Sequence, residues 1–416
     1  MTKVLSLVAA GLLVAAATFQ GSPSKSAGVR VYDVEPNHLW NRIHDCFRVR
    51  TAADGSKHGV DTLDPLLWRE TKHLLTEPSH SRAAALLDEF LASNGEQLIA
   101  DPLKRAVFQH DLWAVFDWLA TGSDGDKGAR STLMPRLARV IRRTALARKE
   151  IEALPDTYAA AAQQISSLPR DLFASNGPWV SIGGTEPVAR QHAAELGRSA
   201  FIVFWNVPGG RDKTTSYLNR LWSFSEPFVK DQTFGNDGEL RVTLNRTLPP
   251  VPDGTRLALV RVMLLIDDRG IVVSTTIVES VQLRVLSGRH SFSEIRMWRG
   301  ELFAGKAGGL RPVGTEDREF LTFSSHGIDP FEREGFRGLA NMPPVLDGCR
   351  TCHRADFRPP IETVNSIRAV LRPNALVDTR HDRWARWFTQ PIVAAGAKSR
   401  SYEFGVLEGL WQSEPR

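Results

Sequence analysis

Apolar positions in the first third of the chain recur at helical spacing. Between Ala83 and Leu91 the run is AAALLDEFL, and between Leu103 and Leu119 it is LKRAVFQHDLWAVFDWL. In the second run Leu103, Val107, Leu112, Val115, Phe116 and Leu119 fall on one face of a helix. Asp101-Pro102 ahead of it supplies a cap and a first-turn proline. Ser131 to Leu154 reads as a third helix, with Leu133, Leu137, Ile141 and Ala145 at intervals of four. Its other side carries Arg136, Arg139, Arg142, Arg143 and Arg148, which reads as a solvated surface. A short helix is also expected around Trp40, His44, Cys46 and Phe47, with Cys46 as a buried thiol.

After about Pro169 the period changes. Gly and Pro become frequent, and β-branched runs replace the helical spacing. Ala200–Trp205, Leu240–Leu244 and Leu257–Ile266 read as strands. Asp267-Asp268-Arg269-Gly270 reads as a hairpin turn into Ile271–Val285, a run with an expected break. Phe292–Phe303 and Glu319–Phe323 are further strand candidates. From about Ser324 loops and helical patterns return, at Ile361–Leu371 and from His381 to Trp387. The expected fold class is therefore α+β multidomain. A helical N-terminal domain (28–168) precedes an antiparallel β-rich domain (169–323) and a C-terminal loop and helix segment (324–416).

Residues 1–27 stand apart from this pattern. Lys3 is followed by Val4–Ala17, an uncharged run of fourteen residues ending in Ala15-Ala16-Ala17 and then a Gly/Ser/Pro/Lys stretch. Such a helix spans roughly 21 Å, short of a bilayer core of about 30 Å. It reads as a secretory signal peptide, with the mature protein soluble, periplasmic and not inserted in a membrane after its removal. No Cys lies near the cleavage point, so a lipoprotein is not expected.

Composition adds limits. The chain has 416 residues, of which 42% are apolar and 24% charged. These values exclude a disordered, collagen-like or disulfide-stapled chain. The net charge of +5 over this length is too small to argue for nucleic acid as a partner.

Three cysteines are present, and two of them make the one strong motif: Cys349-Arg350-Thr351-Cys352-His353, a C-x-x-C-H sequence. Two thiols at this spacing sit about one helical turn apart, where they can add to the two vinyl groups of a haem. The next imidazole is then carried onto the ring face. The motif resembles the attachment site of c-type cytochromes. That resemblance implies one covalent haem c, bound by thioethers to Cys349 and Cys352, with His353 as the proximal iron ligand. It also implies one-electron transfer to a redox partner protein. The order of a β-rich part before a C-terminal motif is similar in layout to the β-sheet green-haem cytochromes, although no Lys here is identifiable as their cross-linking one. Small cytochromes carry a Met ligand downstream of the motif, and this chain has no Met after Met342. The candidate distal ligands are thus His326, His381 and Met342, or the iron keeps an open face. An open face would suit a peroxidase, a small-molecule oxidase or a gas sensor. A third reading makes the C-x-x-C pair a disulfide in a binding or structural module. Zinc would want a second pair of ligands, and Cys46 is remote.

Other motifs fall short. Gly300–Ala307 approaches G-x-x-x-x-G-K but lacks the Ser or Thr that would hold Mg²⁺. Neither H-E-x-x-H nor G-x-S-x-G occurs.

Overall fold

The computed structural model describes residues 30–62, 73–122, 127–184, 197–230, 242–286, 291–318, 331, 344–347, 375–377 and 392–413. Helices α1 (Leu39–Arg48), α2 (Ser79–Ala92), α3 (Pro102–Thr121), α4 (Lys127–Thr144), α5 (Arg148–Glu152) and α6 (Thr157–Gln164) come first, with the short strands β1 (Arg50–Thr51) and β2 (Lys57–His58) between α1 and α2. Then follow β3 (Val180–Gly184), β4 (Ser199–Asn206), α7 (Arg211–Trp222), β5 (Phe228–Lys230), β6 (Val242–Leu244), β7 (Thr255–Ile266), β8 (Val272–Leu286), β9 (Ser291–Met297), α8 (Arg299–Phe303) and β10 (Leu310–Pro312). Strand β11 (Ala375–Val377), helix α9 (392–399) and helix α10 (Tyr402–Gln412) complete the order. The protein is α+β.

The main sheet has seven strands in the order β10-β9-β8-β7-β4-β3-β11, and every neighbouring pair is antiparallel. Strand β3, helices α6, α7 and α10, and β11 were not marked by the periodicity of the chain. The strand expected at Leu240–Leu244 forms as β6, but it pairs with β5 in a separate ribbon. The Asp267–Gly270 turn closes the β7–β8 hairpin as expected. The Asp267 carboxylate accepts the backbone N–H of Arg269 and Ile271, and Gly270 takes a φ of +85°. The expected break in the second strand is matched by register shifts between Arg261 and Leu264 of its partner.

One apolar core runs through helices and sheet alike. Trp40, Phe90, Phe108, Trp113 and Ile141 share it with Ile202, Val260, Val281 and Ile295 from one sheet face, and with Ala395 and Leu407 of the last two helices. A second core lies on the other face, where Tyr217, Leu218 and Leu221 of α7 cover Val180, Ile182, Trp205 and Leu257.

Two elements end differently from the pattern. The expected Ser131–Leu154 helix is two helices, broken at Ala145–Ala147. Leu146 bridges to Asp267 and its carbonyl accepts the Asp268 N–H, so the backbone there serves the β7–β8 turn instead of the helix. The expected strand Phe292–Phe303 stops at Met297, and α8 takes its place because the Arg299 side chain is drawn into the interior. That same helix precedes Gly305-Lys306 rather than following it, the reverse of a phosphate-binding loop. The arginines of α4 are not simply solvated. Arg136 pairs with Asp88 of α2, Arg143 reaches Leu91 O and Glu96, and Arg142 lies over Trp411 of α10. Glu319–Phe323, Ile361–Leu371 and His381–Trp387 lie outside the described residues.

Candidate functional site

Cys349, Cys352, His353, His326, His381 and Met342 all lie outside the described residues, as does the 1–27 leader. The structure does describe how the chain arrives at the motif. Residues 344–347 lie against the β9–β10 edge of the sheet. Pro344 bridges to Arg318, and the Val345 N–H donates to Asp317 O at 2.8 Å. Val345 and Leu346 pack on Val313 and Phe292. Asp347 stands two residues before Cys349 in the sequence.

The third cysteine is no partner for the motif. Cys46 is a free, buried thiol on α1, and burial pushes it up to about 11. At neutral pH it is protonated and a poor nucleophile or ligand. The six described histidines all lie in the N-terminal part. His38 accepts the Trp40 N–H. His44 donates to Val60 O, and His58 bonds Ser56 Oγ at 2.9 Å. His73 meets Cys46 O, His80 meets Leu74 O, and His110 stands beside Glu279. Among the described residues no group of three or more His, Cys, Asp or Glu could hold a metal ion.

What the periodicity did not show is a line of buried charge along α3. That helix is buried from Ala106 to Leu119, polar residues included. Asp111 is the first node. It accepts the Tyr32 hydroxyl at 3.0 Å and the Arg299 guanidinium through both oxygens, with Arg48 3.6 Å away. Burial would raise the Asp111 carboxyl, but Arg299, Arg48 and His44 together hold it below the usual carboxylate range. Arg299 also donates to the carbonyl of Thr62, so the node joins α1, α3, α8 and the chain after β2. Glu279 is the second node. It accepts Ser199 Oγ at 2.5 Å and a two-pronged Arg261 at 3.0 and 3.1 Å. Asp117 is the third, accepting Arg198 at 2.9 Å and Lys398 of α9 at 2.5 Å. The sequence signal was there in His110, Asp111 and Asp117, ionisable residues set inside an otherwise apolar run.

These nodes fasten elements together, and they are enclosed. His44 shows it well. Its Nε2 donates to Val60 O at 2.9 Å, which leaves Nδ1 unprotonated and facing Asp111 at 3.8 Å. Burial, then Arg299, pushes His44 down to about 3, and burial does the same for His73. Both folded values lie below the unfolded value near 6.5. The unfolded chain therefore takes up protons that the folded chain refuses. Stability is full above about pH 6.5 and falls as pH drops through the window towards 3, by about 1.4 kcal/mol per pH unit for each such His. Urea unfolding between pH 6.5 and 4.5, above the range of ordinary carboxylates, should show this slope. The His44→Gln, His73→Gln double variant should show a shallower one. An unchanged slope would contradict the assignment.

No known family matches the chain, nor does any curated protein or solved structure.

Proposed function

We propose that the chain is an exported, soluble, monohaem c-type cytochrome that passes one electron at a time to a partner protein outside the cytoplasm. The observation that carries this reading is Cys349-Arg350-Thr351-Cys352-His353 behind a leader of the secretory kind. The donor set fits haem c: two thiols at the attachment spacing and the imidazole that follows them. Cys46 supports the reading from the other side, because it is buried, free and protonated, which leaves the motif cysteines as a pair of their own.

Haem, once bound, supplies the one-electron couple of its iron. The chain's part is to hold and tune it. Cys349 and Cys352 would hold the haem, each thiol adding across a vinyl group with its sulfur bonded to one vinyl carbon and its hydrogen left on the other. His353 offers a neutral imidazole nitrogen to one face of the iron. His326, His381 or Met342 would be the second iron ligand. A histidine is favoured, because two imidazoles keep the iron low-spin and give a lower potential than His with Met. The second reading, an enzyme or sensor with an open face, draws on the missing downstream Met.

The optical and paramagnetic resonance spectra of the oxidised protein separate the two. A low-spin signal that is lost in His326→Ala or His381→Ala supports the carrier and names its ligand. A high-spin signal in the unmutated protein, with rapid binding of peroxide, carbon monoxide or nitric oxide, would replace the carrier reading by the enzyme or sensor one.

A further inference from the structure

Helix α6 runs into a series of tight turns that doubles back over it. The N–H groups of Leu168, Leu172 and Ala174 donate to Ile165 O, Pro169 O and Asp171 O in turn. The Tyr158 hydroxyl of α6 donates to Pro169 O at 2.7 Å and ties the returning chain to the helix. Between the two lies a cavity of about 270 Å³. Its floor is Tyr158, Ala162 and Phe173, all buried. The Phe173 ring packs T-shaped against Tyr158, with ring centres 4.8 Å apart, and against Phe204 of β4 at 5.1 Å. Packing and a hydrogen bond therefore fix the floor. The space exists because the walls are small side chains, Ala159 and Ala174.

The rim is polar. Gln163 lies one turn after Ala159 on the same side of α6, and Arg170 comes from the returning chain; both are exposed. Among the described residues neither side chain meets a hydrogen-bonding or charged partner. The acids closest along the chain are engaged elsewhere. Asp171 accepts Trp179 Nε1–H at 3.2 Å, and Asp156 accepts the Ala159 N–H at 2.9 Å as the cap of α6. Burial raises the Tyr158 hydroxyl above its usual range, so it stays neutral beside an incoming anion.

An apolar cavity with one cation at its mouth has a defined chemical complement. Its volume falls just under the roughly 300 Å³ at which pockets for drug-sized ligands begin, which calls for a small molecule. The guanidinium offers paired N–H donors that match the two oxygens of a carboxylate. The floor offers no spare donor, because the Tyr158 hydroxyl is committed to Pro169 O. It therefore suits hydrocarbon and disfavours a molecule that is polar all round.

We infer that this cavity is a binding site for a small apolar monocarboxylate, with the carboxylate on Arg170 and the hydrocarbon body against Tyr158, Ala162 and Phe173. The site stands apart from the haem reading and does not rest on it. Gln163 supplies a second donor to the carboxylate from the other side of the rim.

Titration of the full chain with phenylacetate at low ionic strength, followed by saturation-transfer NMR, tests the inference. The expected dissociation constant is on the order of 1 mM, as suits so small a ligand, and it should rise with salt. Acetate lacks the body and benzyl alcohol lacks the charge, so each should bind at least about fivefold more weakly. Arg170→Gln should weaken phenylacetate about fivefold, and Arg170→Lys should weaken it less. Ala159→Leu, at a half-buried position of α6, should fill the space and abolish binding. Arg170 is exposed, so its variants keep the fold and the test intact even where Ala159→Leu lowers the thermal midpoint. No phenylacetate signal up to about 10 mM, equal binding of acetate or benzyl alcohol, or an affinity unmoved by Arg170→Gln would overturn the inference.

Discussion

Protein exported from a host that matures c-type cytochromes will carry one haem per chain that survives denaturation. The expectation follows from bond type. Two carbon–sulfur bonds at Cys349 and Cys352 persist in denaturant and on a gel, whereas a haem held only by His353 would be released. The intact mass should equal the processed chain plus one haem, and the alkaline pyridine spectrum should be that of a haem with both vinyl groups saturated. Cys352→Ser should leave one attachment point, with most of the haem lost during maturation, and Cys349→Ser with Cys352→Ser should abolish the stain. A chain of apo mass short of two hydrogens would instead mark a Cys349–Cys352 disulfide and end the cytochrome reading. Cys46→Ser should change neither stain nor spectrum, because that thiol is buried on α1 and protonated.

The second large effect is on stability. Asp111→Asn should cost about 3–5 kcal/mol in urea unfolding at pH 7, the usual penalty for removing one partner from a buried ion pair. The amide keeps the volume of the carboxylate but leaves the buried Arg299 without the charge it pairs with. Replacing all three, as Asp111→Leu, Arg48→Met and Arg299→Met, should lose less than the single variant, since no buried charge is then stranded. Such swaps of a buried ionic cluster for apolar side chains are often neutral. If Asp111→Asn unfolds within about 0.5 kcal/mol of the parent, the node is not what fastens α8 and α1 to α3.

The arrangement has a consequence for the C-terminal part. Asp117 holds Lys398 of α9, and Asp317 holds Val345, so the chain is fastened on both sides of the motif-bearing stretch.

Much of the local structure was legible in the chain. Asp101-Pro102 caps α3 as its sequence suggested, with the Asp101 carboxylate accepting the Leu103 N–H at 2.8 Å. The strands at 200–205 and 257–266 and the turn at Asp267–Gly270 form where alternation and turn residues put them. These features depend on neighbours a few residues apart, and period, caps and turns report such neighbours directly. The C-x-x-C-H motif is a signal of the same local kind, and its residues lie outside the described ones.

Other features needed partners far along the chain. A helix ends at Thr144 because the turn after Ile266 claims the backbone of Leu146. A strand ends at Met297 because Asp111, 188 residues earlier, claims Arg299. Helix α3, read as one-sided, is buried all round because the sheet and the last helices close over its polar side. The sequence alone therefore determined α1 to α4 in outline and the long hairpin, each written in short-range order, and it put forward the leader and the haem ligands as expectations. The order of the seven strands, the enclosure of Asp111, Asp117 and Glu279, and the packing of residues 344–347 at the β9–β10 edge were decided only by the tertiary structure. The reason is physical: a charge or a strand edge can be buried only where a distant residue meets its hydrogen-bonding and electrostatic needs, and local pattern carries no record of which residue that is.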